Sequence, residues 1–230
     1  MVELSLVMPC LNEERTIGNC VKQCFQALKT YKIRGEVVVC DNGSIDKSAQ
    51  IAKSLGARVV YEKKRGYGNA CIKGLREARG KYLLKLDADG SYDPFEIKEF
   101  IKYLRLDYDV VMGSRTRGKI LSGSMPWSHQ YIGNPVLTAT ANIFCHTRIS
   151  DLCCGMKAFN RSAFQKLGLT APGMEFGPET TIKARQIGAS VKEIPITYHP
   201  DGRARKSNLN QWRDGIRDMV YILKESRLFR

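Results

Sequence analysis

The sequence predicts an α/β protein with a mostly parallel central sheet flanked by helices. Short apolar runs alternate with stretches of helical period. Several of the runs are continuous rather than alternating with polar residues, as strands covered on both faces are. Polar loops rich in Asp, Asn and Gly follow three of the runs, as expected where a sheet presents one end to a ligand.

Leu4 to Met8 (LSLVM) reads as a first strand that stops at Pro9. From Arg15 to Tyr31 the residues Ile17, Val21, Cys24, Phe25 and Leu28 recur at helical spacing, and Gly35 then leads into a second strand, Val37 to Cys40. After DNGSIDKS a helix runs through Ile51, Ala52 and Leu55 to Gly56, and Arg58 to Tyr61 is the third strand. Another helix starts by Ala70, breaks at Gly80 and gives way to the strand in KYLLKLD. Such alternation implies βαβ units of right-handed crossover and a Rossmann-like, nucleotide-binding half. Beyond Phe100 the rhythm changes. A strand at Asp109 to Gly113 is followed by SRTRGKILSGSMPWS, a basic stretch without period that reads as a long irregular loop from Ser114 to Ser128. Helices are expected at Asn134 to Phe144, from Ser162, and at Glu179 to Ile187, with a strand at Val191 to Thr197.

A chain of 230 residues suits one large domain, taken as residues 1–210, with a C-terminal helix at 211–230. Thirty-seven basic against 23 acidic residues give +14, an excess that attracts nucleic acid, anionic membrane or phosphorylated small molecules. No nucleic-acid motif accompanies the charge, so that partner is set aside. No apolar stretch reaches the roughly 18 to 20 residues that cross a bilayer, and MVELSLVMPC lacks the flanks of a signal peptide. The expected location is cytoplasmic and peripheral, on the cytoplasmic face of a membrane. The eight cysteines show no recurring zinc spacing, and Cys10, Cys40 and Cys71 lie inside apolar segments, which implies reduced, buried thiols. His129, His146 and His199 do not cluster.

The chemistry concentrates in KLDADGSYDP. Asp87 and Asp89, one residue apart at the end of an apolar run, would project together if the strand continued, and two close carboxylates call for a cation or a shifted pKa. NEE, DNGSID and DADGSYD lie at the mouth of one sheet.

With PCLNEE, DNGS, DAD, GSR and ISDLCCGMKAFNR in this order, the chain resembles the family 2 glycosyltransferases of the GT-A fold, and among them the dolichyl- or polyprenyl-phosphate mannose and glucose synthases. The resemblance implies an inverting enzyme that moves a hexose from a GDP-mannose or UDP-glucose type donor to a polyprenyl phosphate. It implies that Pro9, Leu11, Glu13, Asp41, Asp87 and Ala88 line the nucleotide pocket, and that Asp89, with Asp87, holds Mg²⁺ or Mn²⁺ on the donor diphosphate. Relatives read DADxQHP, whereas here Gly90-Ser91-Tyr92-Asp93 precede Pro94, which leaves a second metal ligand open. Many relatives also continue into transmembrane helices. Here a membrane surface or a small membrane-protein partner is the expected substitute.

An acceptor phosphate is already anionic near neutral pH, so the acceptor side needs cations rather than a strong base. Arg115 and Arg117 are candidates to clamp it, and Arg203 and Lys206 of DGRARKSN to cover the donor diphosphate. Asp151 is a catalytic or capping candidate, and Glu179 either an acceptor-side residue or a first-turn carboxylate favoured by the helix dipole. A soluble hydroxyl acceptor, with Asp151 as base, and a non-catalytic subunit that binds a nucleotide sugar are the alternatives. In QWRDGIRDMVYILKESRLFR, the residues Trp212, Ile216, Met219, Val220 and Leu223 fall on one face of a helical period with Arg213, Arg217 and Lys224 off it, as on a helix lying in a membrane interface.

Overall fold

The structure, a computed structural model, describes residues 1–203 and 211–229. The strands β1 (Leu4–Cys10), β2 (Gly35–Asp41), β3 (Arg58–Tyr61) and β4 (Tyr82–Lys85) alternate with the helices α1 (Ile17–Thr30), α2 (Ser48–Ser54) and α3 (Tyr67–Glu77). Then follow α4 (Ile97–Arg105), β5 (Val110–Ile120), α5 (Asn134–Cys145), β6 (Lys157–Asn160), α6 (Arg161–Leu167), α7 (Phe176–Gln186), β7 (Val191–Tyr198) and α8 (Gln211–Glu225). The strands form one sheet in the order β3-β2-β1-β4-β6-β5-β7. Every neighbouring pair is parallel except those made by β6, which runs antiparallel between β4 and β5.

Alternation along β1 explains the layers. Leu4, Leu6 and Met8 join the core built with Ile17, Val21 and Phe100, whereas Val7 joins Leu75, Phe159 and Phe176 on the other face. A third cluster, Leu137, Ala141, Leu152, Ile182 and Ile222, ties α5, α7 and α8 together. All eight cysteines are free, and all but the half-buried Cys153 are buried.

The sequence-based boundaries are corrected in three places. First, β1 continues through Pro9 to Cys10. The Val7 carbonyl accepts from Leu86 N–H, so the Pro9 nitrogen, two residues on, turns to the same side but past the last β1–β4 pair, Val7 with Lys85. Second, the stretch expected to be a loop from Ser114 extends β5 to Ile120, because β7 supplies a partner: after an irregularity, Lys119 pairs with Thr197 and Ile120 with Tyr198. A Cβ on Gly118 would stand 2.0 Å from the Ile196 carbonyl oxygen, so only glycine allows this approach. Third, α4 forms on Ile97, Phe100, Ile101 and Leu104, all buried, where no helix was expected.

Of the apolar stripe of α8, Met219 is half-buried against the α5–α7 cluster, but the face that packs most fully is another. Asp214, Asp218, Ile222 and Ser226 are buried, while Ile216, Val220 and Leu223 are exposed. Among the described residues, no helix is long and apolar enough to cross a membrane. Replacing the fully buried Ile222 with Ala is expected to lower the unfolding free energy by about 2–5 kcal/mol. Val220→Ser, on the open stripe, should stay within about 0.5 kcal/mol. Urea titrations of the two variants check the contrast.

Candidate active site

The carboxyl ends of β1, β2 and β4 open on one side of the sheet, and their loops bring Glu13, Asp41, Asp87 and Asp89 to one mouth. Strand β4 ends at Lys85, so the backbone has left the sheet before Asp87. Each of the two carboxylates has its own hydrogen-bond partners, although their charges still act on one another. Lys85 is fully buried, and its Nζ lies 2.7 Å from Asp87 Oδ1. The Tyr67 hydroxyl donates to the same oxygen at 2.9 Å and accepts a hydrogen bond from the ammonium. Burial works against the charge of Asp87, but Lys85 and Tyr67 outweigh it and hold the carboxyl below its usual range.

Asp89 is held differently. Its Oδ1 accepts from Ser91 N–H at 3.0 Å and Ser91 Oγ at 2.6 Å, and its Oδ2 stands 3.0 Å from Arg203 Nη1. The same guanidinium reaches Glu13 Oε1 at 2.7 Å. Burial, and next the charge of Asp87, push the Asp89 carboxyl up despite Arg203. Two carboxylates from separate loops thus converge on one cationic group. Among the described residues no three Asp, Glu, His or Cys side chains gather as a complete metal cage. Carboxylate oxygens short of a full shell fit a hard divalent ion that takes its other ligands from phosphates and water.

The loop after β1 is held by α2: Glu13 N–H donates to Ser48 Oγ at 2.7 Å, and Asn12 Oδ1 accepts from Ile45 N–H at 2.8 Å. Pro9 is buried and Leu11 half-buried beside them. Asp41 Oδ1 accepts from the Gly43 and Ser44 amides at 2.9 and 3.0 Å, which closes the DNGS turn, while its buried Oδ2 has no protein partner. Ala88 is buried, with its carbonyl accepting from the Cys20 thiol. Lys206 lies outside the described residues.

The acceptor-side candidates are rearranged. Arg115 is buried, and its Nε and Nη2 meet Asp151 Oδ2 and Oδ1 at 2.8 and 2.7 Å. Its Cζ stands 5.2 Å from the Tyr198 ring centroid. The fork expected to grip a phosphate is therefore filled by a carboxylate. Burial disfavours the Asp151 charge, yet Arg115 outweighs it and keeps the carboxyl below its usual range, which makes Asp151 a poor base. Nor does Asp151 cap a helix, since α5 ends before it and β6 follows. Arg117 remains outward, 57% exposed and only 3.9 Å from Glu193. Glu179 is buried in the first turn of α7, where it accepts from Thr170 and Ala171 N–H at 2.8–3.1 Å and pairs with Lys183 at 2.8 Å. It ties a loop to a helix.

Sequence reasoning missed Lys85, Tyr67, Lys157, Glu175 and Asp218. Lys85 and Lys157 are register partners across β4 and β6, both buried. Lysines inside apolar strand runs are the signal that could have found them, because such a charge needs partners. Lys157 has no carboxylate partner. It donates to the Gly177 carbonyl at 2.8 Å, and burial pushes its pKa down to about 8. Across a cleft from it, Asp218 is buried with Oδ1 unpartnered.

Residues 5–168 match the profile of the family described as Glycosyl transferase family 2. The chain belongs to this family, and it is an enzyme of the glycosyltransferase class. It is 41% identical over 221 residues to the low-salt glycan biosynthesis hexosyltransferase Agl6 of Haloferax volcanii, a match covering 96% of this chain and 53% of that protein. The chain thus spans about half the length of that relative. A dolichyl-phosphate hexose transferase of the same organism is 28% identical over 230 residues, 98% of this chain and 96% of its own length. The fold is that of GT-A glycosyltransferase structures. Glucosyl-3-phosphoglycerate synthase from Mycobacterium tuberculosis, solved with Mn²⁺, uridine diphosphate and glucosyl-3-phosphoglycerate, superposes with TM-score 0.75 at 19% identity, covering 98% of this chain and 80% of that one.

Arg115→Ala leaves the buried Asp151 charge uncompensated and should cost about 3–5 kcal/mol of stability in urea denaturation. Asp218 gives a pH prediction. Burial, then the charges of Glu175 and Asp214, raise its carboxyl from 3.8 to about 7 against Arg217 and Lys157. Ionised Asp218 therefore opposes folding, by an amount that grows from its unfolded pKa up to about 7 and is complete above. The unfolding free energy of Asp218→Asn should match that of the wild type near pH 4 and exceed it at pH 8, by a few kcal/mol in order of magnitude, in urea titrations at the two pH values.

Proposed function

We propose that this chain transfers a hexosyl group from a nucleotide-diphosphate sugar to a polyprenyl or dolichyl phosphate. The observation that carries the reading is where apolar surface lies. Most of the large apolar side chains left exposed among the described residues, including Trp127, Tyr131, Val136 and Phe144, belong either to the segment after β5 or to the open stripe of α8. The two segments adjoin, since Cys145 at the end of α5 donates to the Ile222 carbonyl of α8. An exposed apolar face of this kind marks an interaction or membrane surface. It follows the strand that carries the outward Arg117. Two relatives, a hexosyltransferase of glycan biosynthesis and a dolichyl-phosphate hexose transferase, support the same reading. An acceptor hydroxyl would need a base, and Asp151 is engaged by Arg115.

In this reading the nucleotide lies over the ends of β1 and β2, where the free Oδ2 of Asp41 accepts a donor group from base or ribose. Asp89 and Glu13 would hold Mg²⁺ or Mn²⁺, which neutralises the diphosphate as it leaves. Arg203, poised between those carboxylates, supplies a second cation within reach of the same diphosphate. Arg117 orients the acceptor phosphate and so takes the role first expected of Arg115. The acceptor oxygen attacks the anomeric carbon, the bond from that carbon to the diphosphate breaks, and the nucleoside diphosphate leaves. In-line displacement inverts the configuration.

The test is transfer of radiolabelled hexose from UDP-glucose or GDP-mannose to polyprenyl phosphate in anionic vesicles. Asp89→Ala should abolish product, and Arg117→Ala should raise the apparent KM for lipid by about tenfold at unchanged melting temperature. Replacing Ile216, Val220 and Leu223 together with Ser should remove the chain from floating vesicles. Transfer to a water-soluble alcohol but not to lipid phosphate would refute the acceptor assignment.

A further inference from the structure

Behind Asp87 lies a cleft that the donor and acceptor assignments leave unused. It is a narrow cleft of about 40 Å³, partly open to solvent, and its walls include Tyr67, Gly155, Lys157, Met174, Phe176 and Asp218. Gly155 marks where it adjoins the donor site. A Cβ there would stand 2.6 Å from Asp87 Oδ2 and 3.0 Å from Lys85 Nζ, so any side chain would push into the carboxylate. The Gly155 amide is fixed from behind by donating to the Tyr92 hydroxyl at 2.7 Å.

Asp218 sets this cleft apart. Asp87, Asp89 and Asp151 are each matched by a cation, Lys85, Arg203 and Arg115, whereas Asp218, like Asp41 at the nucleotide end, keeps a buried oxygen without a partner. Asp218 is 7% exposed and its Oδ1 has no hydrogen-bond partner. Its neighbours do not relieve it, since Arg217 of the same helix turns to Glu175 at 2.7 Å. A buried acceptor without a donor costs stability, and it persists where a ligand supplies the donor. The cleft offers that ligand two kinds of wall. Phe176 and Met174 are apolar, whereas Asp218 accepts hydrogen bonds; the Lys157 ammonium, turned to the Gly177 and Leu152 carbonyls and the Thr181 hydroxyl, leaves that acceptor open. A sugar's hydroxyl and hydroxymethyl arms combine apolar C–H groups with hydroxyls that both donate and accept, and one such arm suits a narrow cleft that adjoins Asp87, at the mouth where the donor is proposed to lie.

We infer that Asp218 of α8 reads a hydroxyl group of the transferred sugar and so determines which hexose the enzyme accepts. The inference rests on the proposed donor class. It gives the C-terminal helix a part in donor selection besides its outward apolar stripe.

Titration calorimetry of the full chain with Mn²⁺ separates the two levels, using matched pairs: UDP with UDP-glucose and UDP-galactose, GDP with GDP-mannose. For one pair, the wild type should bind the sugar form more tightly than the bare diphosphate. Asp218→Asn should keep the diphosphate affinity and lose about tenfold to a hundredfold of the sugar-dependent gain. Asp218→Glu, which keeps the charge but lengthens the arm, should do the same. If neither UDP nor GDP binds the wild type, the proposed function fails and takes this inference with it. An unchanged sugar increment in both variants overturns the inference alone. So does an equal loss for bare diphosphate, which makes Asp218 a scaffold residue, or a lowered melting temperature of Asp218→Asn at pH 8. Intact sugar binding with turnover abolished would make it a base instead of a reader, and overturns the inference as well.

Discussion

Burying charge at the end of a hydrophobic sheet is the constraint around which this molecule is arranged. A lone ionised group in the interior is costly, so most find a counter-charge, and Lys157 and Asp218, which do not, are shifted toward their neutral forms. The Lys85 ammonium, wholly inside the protein, is tolerable because Asp87 lies two residues along the chain and Tyr67 closes the triangle. Arg203 joins Glu13 to Asp89 across loops nearly the whole chain apart. Arg115 joins the end of β5 to the segment before β6 through Asp151. These pairs fix the relative positions of loops that no regular structure connects, and the fixed loops shape the mouth of the site.

Strand β6 carries out the second half of that arrangement. In a sheet of parallel strands alone every strand ends at the mouth, and a helix must carry the chain to the opposite end before the next strand can begin. By running antiparallel between β4 and β5, β6 starts at the mouth, so the ISDLCCGM segment enters the site without a crossover. Asp151, Cys154 and Gly155 thereby come beside Asp87 and Tyr92. The nucleotide half is a repeated βαβ unit, whereas the other half depends on this single reversal.

That division also explains what could be read from the sequence. The first four strands and the helices between them are local patterns, and Arg58 to Tyr61 falls on the expected residues. The DAD signature, the DNGS turn and the glutamate of NEE were legible for the same reason. The polar continuation of β5 was not, because its strand character comes from β7, far along the chain, and not from its own residues. Arg115 looked like a phosphate clamp because a sequence shows a charge but not its partner, and Asp151 lies 36 positions away. In α8 the apolar stripe was visible, but which face packs was not. Helix α5 and helix α7 hold the side bearing Ile222, and two aspartates are buried with it.

The eight free thiols carry a practical consequence of their own. Burial raises the pKa of most of them to about 11 or 12 or beyond, as at Cys10, Cys40, Cys145 and Cys154, so they are neither thiolates nor within reach of reagents. They are distributed over α1, β1, β2, α3, α5 and the segment before β6. An alkylating reagent added to the folded protein is then consumed only as fast as each region opens. Peptide mapping of the labelled sites over time would record, without any engineered probe, the order in which this enzyme comes apart.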